Sequence, residues 1–79
     1  MPVDLKRAYA LFQHACKEGL QYACGYAAEM LIEGEGVTRD RFAGALLMRR
    51  ACAAGDANSC LSMRRLGIEA TRSGRALRE

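Results

Sequence analysis

Four cysteines and one histidine are the residues of this 79-residue chain whose chemistry could go beyond packing. Cys16 and Cys24 stand eight apart, as do Cys52 and Cys60, and the two pairs are offset by 36. Three chemistries compete for them. The first is a disulfide within each pair. Each cysteine falls about one turn from a short loop, on facing sides of an antiparallel helix hairpin, where two Cα atoms can come within bonding range. Closing so short a loop contributes on the order of 2–3 kcal/mol in the chain-entropy description. The second is four reduced thiols packed as small apolar side chains. The third is zinc ligation, which the spacing disfavours because structural zinc sites draw on tight pairs such as Cys-x-x-Cys.

His14 lies two residues from Cys16, so the two side chains leave one helix in different directions. A Cys–His nucleophile pair needs reach between them, and His14 reads as an exposed helical side chain. Glu29, Glu33 and Glu35 flank a helix end and a turn and are expected to face solvent. Gly34-Glu35-Gly36 lacks the Lys and the Ser or Thr of a phosphate loop. No catalytic residue, metal or cofactor is expected.

The elements that must hold these residues follow from a repeat. Sliding the chain by 36 matches both cysteines of a pair, and also Asp4 with Asp40, Leu11 with Leu47, Ala15 with Ala51, Gly19 with Gly55 and Ile32 with Ile68. Over residues 4–18, Leu5, Ala8, Tyr9, Phe12, Ala15 and Cys16 fall at the three-and-four spacing of one helix face. Gly19 ends that helix. A second is expected over 21–33, burying Ala23, Ala27, Met30 and Leu31, and Gly34-Glu35-Gly36 reverses the chain. Thr38 is the expected cap of a third helix over about 39–54, with Asp40 in its first turn. Phe42, Ala45, Leu46 and Cys52 mark its face, and Gly55 ends it. A fourth starts near 57, carries Cys60, Met63, Leu66 and Gly67, weakens after Thr71 and breaks at Ser73-Gly74. Short loops favour antiparallel neighbours. The expected fold is all-α, an antiparallel helix-hairpin α-solenoid of about four helices in a single domain. It divides into a half repeat (4–20), a full repeat (21–56), a partial repeat (57–72) and a basic end (73–79).

Composition fits this reading. The chain is 51% apolar and 27% charged, with one Pro and no Trp, a globular and helix-prone mix. No apolar run reaches the roughly 18 residues of a membrane helix, and no signal core follows the N-terminal charges. The first 60 residues balance seven basic against seven acidic side chains, so the net +3 resides in the last 19. Nucleic acid is disfavoured as a partner, because no aromatic residue follows Phe42 to stack beside Arg49, Arg50, Arg64 and Arg65.

Ala23-Cys24, Gly34-Glu35-Gly36-Val37, Asp40 and Arg50-Ala51-Cys52-Ala53-Ala54-Gly55-Asp56 together resemble the Sel-one-like repeat, a relative of the tetratricopeptide repeat, in its cysteine-rich branch. The resemblance covers about residues 4–70. It departs from the pattern in the first helix of the full repeat, where Gly25-Tyr26-Ala27-Ala28 stands, and after Leu66-Gly67, where no Gly-x-Gly turn follows. The resemblance implies a solenoid scaffold without catalysis, and it agrees with pairing Cys16 to Cys24 and Cys52 to Cys60. It implies recognition of another protein or peptide as an adaptor, assembly factor or immunity-type inhibitor. Some cysteine-rich relatives are credited with binding or hydrolysing lactams, which makes a lactam enzyme the alternative of a different class. A fragment of a longer scaffold is a further alternative. The groove of related solenoids implies partner-binding roles for Tyr22, Tyr26 and Glu29, with Asn58 and Arg65 one repeat on; Gln21, Gly25 and Ser62 flank them. Uncapped repeat ends offer a route to self-association. The cellular location expected is cytoplasmic for an intact reduced chain, and periplasmic or otherwise oxidising if the disulfides form.

Overall fold

A computed structural model of the chain describes residues 4–68. Those residues form four α-helices and no strand: α1 (Leu5–Lys17), α2 (Gln21–Glu33), α3 (Arg41–Ala53) and α4 (Ala57–Leu66). The fold is all-α. The break expected at Ser73-Gly74, the weakening at Thr71 and the basic end 73–79 lie outside the described residues.

Three of the four helices start on an aspartate. The carboxylates of Asp4, Asp40 and Asp56 accept from the backbone N–H groups of Arg7, Ala43 and Ser59 at 3.2, 3.0 and 3.1 Å. Each satisfies a donor that the first turn leaves unpaired, at a typical gain of about 1 kcal/mol. This corrects the expectation for α3: the cap is Asp40 itself, not Thr38, and α3 begins at Arg41. The carboxylate reaches the N–H three residues on, as Asp4 does 36 residues earlier. Gly34 ends α2 at φ 75° and Gly67 ends α4 at φ 76°, a left-handed conformation that costs glycine no Cβ clash. α4 therefore stops at Leu66, short of the expected Thr71, and Gly67 is a terminator rather than part of a packed face.

The helices pack mainly in chain order. α2 packs on α1 and α3, α3 on α4, and α2 also touches α4. α1 packs on α2 and on no other helix, and none of its residues is fully buried. The core gathers Ala28 and Ile32 of α2, Met48 of α3 and Met63 of α4, with Leu47, Cys52, Leu66 and Ile68 against it. In α2 the expected Ala23, Ala27 and Met30 are buried, joined by Cys24, Gly25, Ala28 and Ile32, while Leu31 is only half-buried.

The face expected for α3 holds in part: Cys52 packs against the core and Ala45 is half-buried, but Phe42 and Leu46 are misplaced. Phe42 is 73% and Leu46 41% exposed, and the buried residues are Gly44, Met48 and Ala51. The cause is a close helix crossing. A Cβ on Gly44 would lie 2.6 Å from Ile32 Cγ1 and 2.8 Å from the carbonyl oxygen of Ala28. Only glycine admits α2 at that distance, and the crossing turns Phe42 and Leu46 outward. In α1 likewise, Leu5 is exposed and Ala8, Tyr9, Phe12, Ala15 and Cys16 are half-buried.

Candidate functional site

The cysteine chemistry is settled by geometry. Cys16 is bonded to Cys24 and Cys52 to Cys60, with Cα–Cα separations of 4.6 and 4.8 Å, and no cysteine is free. Both separations fall in the range that disulfides span. Each bond joins the last turn of one helix to the first turns of the next, across a loop of three residues. Gly19 at φ 101° and Gly55 at φ 105° are the middle residues of those loops. The reduced-thiol and zinc readings fall with this pairing. Cys16 has no thiol to offer His14, whose imidazole instead lies 3.8 Å from the Glu18 carboxylate on an exposed face.

The five residues expected to bind a partner come together on α2 and α4. Tyr22, Tyr26 and Glu29 stand on successive turns of α2, and Asn58 and Arg65 face them from α4. Tyr22 and Tyr26 stay open, at 51% and 41% exposure, with ring centroids 6.2 Å apart edge to face. Phe12 of α1 extends the row, its centroid 5.1 Å from that of Tyr26. Such contacts are worth roughly 0.5–1.5 kcal/mol beyond area burial, so the rings hold one another upright at the surface. Phe12 was read from the sequence as a core residue. Its 36-residue counterpart, Met48, is buried in the core with α2, whereas Phe12 is half-buried on a helix that, among the described helices, packs on α2 alone.

Beside the rings runs a polar seam. The Ser62 hydroxyl donates to Glu29 Oε2 at 2.8 Å, and Arg65 Nη2 donates to the same oxygen at 3.0 Å. One carboxylate thus anchors two side chains of α4. The exposed member of this ion pair contributes little to stability; its effect is to fix where the guanidinium sits. At the other end of the seam Ser59, buried, donates its hydroxyl to Asp56 at 2.6 Å. A Cβ on Gly25 would overlap that hydroxyl oxygen. Gly25 therefore sets the α2–α4 distance, a role not visible in its sequence position alone.

The crease between α2 and α4 leaves space for about one water, near 10 Å³. Two wider grooves flank it. One of about 340 Å³ opens between α1 and α3 over the Cys16–Cys24 bond, with Lys17 and Arg50 on its walls. The other, of about 380 Å³, lies between α1 and α2, with Leu5, Phe12 and Met30 on its floor. No helix is long and apolar enough to cross a membrane, and no cluster of three or more metal-ligating side chains occurs, among the described residues. Comparison with protein-family models, with curated proteins and with solved structures returned no match.

Proposed function

We propose that this chain is a protein-interaction module without catalysis, built as an α-solenoid of the Sel-one-like kind. Support for the repeat comes from roles that recur 36 residues apart: Asp4 and Asp40 as caps, Gly19 and Gly55 in the tight loops, and a disulfide across each loop. Support for interaction comes chiefly from one observation, Tyr26 and Tyr22 held open to solvent beside the half-buried Phe12 and the fixed Arg65. Tyrosine and arginine are enriched among residues that dominate binding energy, because they bring large contact area with few torsions to freeze. Tyr22, Tyr26, Glu29, Asn58 and Arg65 form the proposed contact surface. The partner is another protein or peptide, served by an adaptor, an assembly factor or an immunity-type inhibitor. Two disulfides suit an oxidising compartment such as the periplasm.

The experiment is affinity isolation of the tagged, oxidised chain from its source cells, beside a Tyr22→Ala, Tyr26→Ala double variant. One stoichiometric partner is expected with the wild type and none with the variant, at unchanged helicity and Tm. Recovery of the wild-type chain alone would sink the interaction reading. Self-association through uncapped ends is the second reading, favoured by the exposure of Phe42, Leu46 and Leu61. Sedimentation of the purified chain over a concentration series separates the two.

A further inference from the structure

α2 packs on both α1 and α3, which do not pack on each other. The gap between them is the groove of about 340 Å³ over the Cys16–Cys24 bond. The first turn of α2 and that bond form its floor, with Gln21 at one edge. α1 supplies Gln13 and Lys17 as one wall, and α3 supplies Leu47 and Arg50 as the other. The space lies at the small end of ligand pockets, which run from about 300 to 1,000 Å³, so it admits a few side chains rather than a whole helix.

Both wall charges are positive, and neither is neutralised. Lys17 and Arg50 make no ion pair and no side-chain hydrogen bond among the described residues, whereas Arg39, Arg41 and Arg65 each donate to a carbonyl or a carboxylate. Both stand near helix C-termini, where a cation is favoured, yet their donors are not spent there. In α1 the carbonyls of His14, Ala15 and Cys16 accept from the backbone N–H groups of Glu18, Leu20 and Gly19. In α3 those of Arg50, Ala51 and Cys52 accept from Ala54, Asp56 and Gly55. No carboxylate lines the groove, and Glu18, next to Lys17 in sequence, lies against His14 instead.

We propose that this groove binds a short, extended acidic segment of another protein, two carboxylates flanking one apolar side chain. The planar guanidinium of Arg50 takes one carboxylate in a two-point fork, and the Lys17 ammonium takes the other as a point charge. Leu47 and the disulfide give the apolar contact between them. The side-chain amides of Gln13 and Gln21 both donate and accept, which suits the backbone of an extended chain. This site goes beyond the tyrosine face and is independent of it. At about 100° per residue, Gln21 and Cys24 lie on the side of α2 away from Tyr22, Tyr26 and Glu29. One period on, Lys17 and Gln21 become Ala53 and Ala57, so the Cys52–Cys60 bond has no such pair beside it. A second copy of this chain offers the exposed turn Glu33-Gly34-Glu35, which has two carboxylates but no apolar side chain between them for Leu47.

The probe is acetyl-Gly-Glu-Leu-Glu-Gly-amide, titrated into the oxidised, isotope-labelled chain at about 10 mM ionic strength. Saturable NMR shifts are expected at the Gln13 and Gln21 side-chain amides and at the backbone amides of Leu47 and Arg50, with half-saturation at or below about 1 mM. Lys17→Gln and Arg50→Gln, both at exposed positions, are each expected to weaken binding about threefold or more at unchanged Tm. Arg50→Lys, which keeps the charge and loses the fork, weakens it less than Arg50→Gln. Raising the ionic strength to about 150 mM shortens the Debye length from about 30 to about 8 Å and is expected to weaken binding by a similar factor.

Absence of saturation up to about 10 mM peptide overturns the inference, as does equal binding of a control peptide with Gln in place of both Glu. Equal affinity for sodium phosphate would show that the walls hold a lone ion, which overturns the peptide occupant. The same shifts arising with chain concentration alone would assign the groove to a second copy and overturn it likewise. Loss of the partner in the affinity isolation above leaves this titration unaffected, so the two readings fail separately.

Discussion

Breaking one disulfide should loosen one helix more than the rest. Among the described helices α1 packs only on α2, with its first turn against Gly36; it has no fully buried residue and is tied to α2 covalently by Cys16–Cys24. A free 13-residue helix is marginal in water, so α1 holds its shape through that tie and a half-buried face. The bond spans a sequence separation of 8. The chain-entropy relation gives about 2.6 kcal/mol for a loop of that size, or roughly 70-fold in an opening equilibrium. The perturbation is Cys16→Ala with Cys24→Ala, alanine being chosen because Cys24 is buried. The assay is amide hydrogen exchange by NMR. Amides of α1 from Tyr9 to Gln13 are expected to lose protection by roughly 70-fold, while those of Met48 and Ala51 change by only a few-fold. Cys52→Ala with Cys60→Ala behaves differently, because both helices it joins carry buried residues, Met48 and Ala51 on one and Ser59 and Met63 on the other. Its loss appears as a lower global Tm. Unchanged protection in α1 after removal of Cys16–Cys24 would refute the reasoning, as would equal loss in every helix.

Gly44→Ala should lower Tm by roughly 5–15 °C, since overpacking against the Ala28 carbonyl outweighs a helix-propensity gain of about 1 kcal/mol; a thermal melt showing a rise would mean that the close crossing is absent. Gly25→Ala is expected to destabilise, and Ser59→Ala, which removes the overlapping hydroxyl, to recover part of the loss in a double-mutant cycle followed by urea unfolding. Asp40→Ala costs about 1 kcal/mol as a lost cap. Asp56→Ala costs about 1–3 kcal/mol more, because it also strands the buried Ser59 hydroxyl; equal midpoint shifts for the two would contradict that assignment. Arg65→Ala should leave Tm nearly unchanged, its pair with Glu29 being largely exposed, while weakening capture of the partner.

Some of this was legible in the sequence because local rules agreed. Over 4–33 an aspartate cap, an apolar stripe and terminal glycines point to one answer, and α1 and α2 begin and end where those signals stand. α3 was harder. Phe42, Ala43, Ala45, Leu46, Leu47 and Met48 surround it with apolar side chains, so periodicity offers two faces. What decides between them is Gly44, whose lack of a side chain leaves no mark on an apolar count. The residues of the proposed contact surface share a face for a different reason: Tyr22, Tyr26 and Glu29 are spaced along one helix face, and a 36-residue shift carries that face to Asn58, Ser62 and Arg65. Phe12 belongs to the apolar stripe of α1, and its place beside Tyr26 depends on how α1 crosses α2. The Asp56–Ser59 pair and its fit against Gly25 depend on a helix crossing, which no short-range signal encodes.

Packing in chain order also sets a sequence of events in time. When helices meet chiefly their immediate neighbours, little loop entropy is lost before contacts form, and hairpins of this size assemble in about microseconds to milliseconds. Thiol oxidation takes seconds or longer. Each cysteine therefore meets its partner across a turn that has already closed, long before the oxidant arrives. Of the three pairings that four cysteines allow, the one with each bond spanning a three-residue loop is reached without search. Oxidative refolding of this chain should proceed without scrambled isomers and without need of an isomerase, and the order of bond formation should follow accessibility rather than position along the chain.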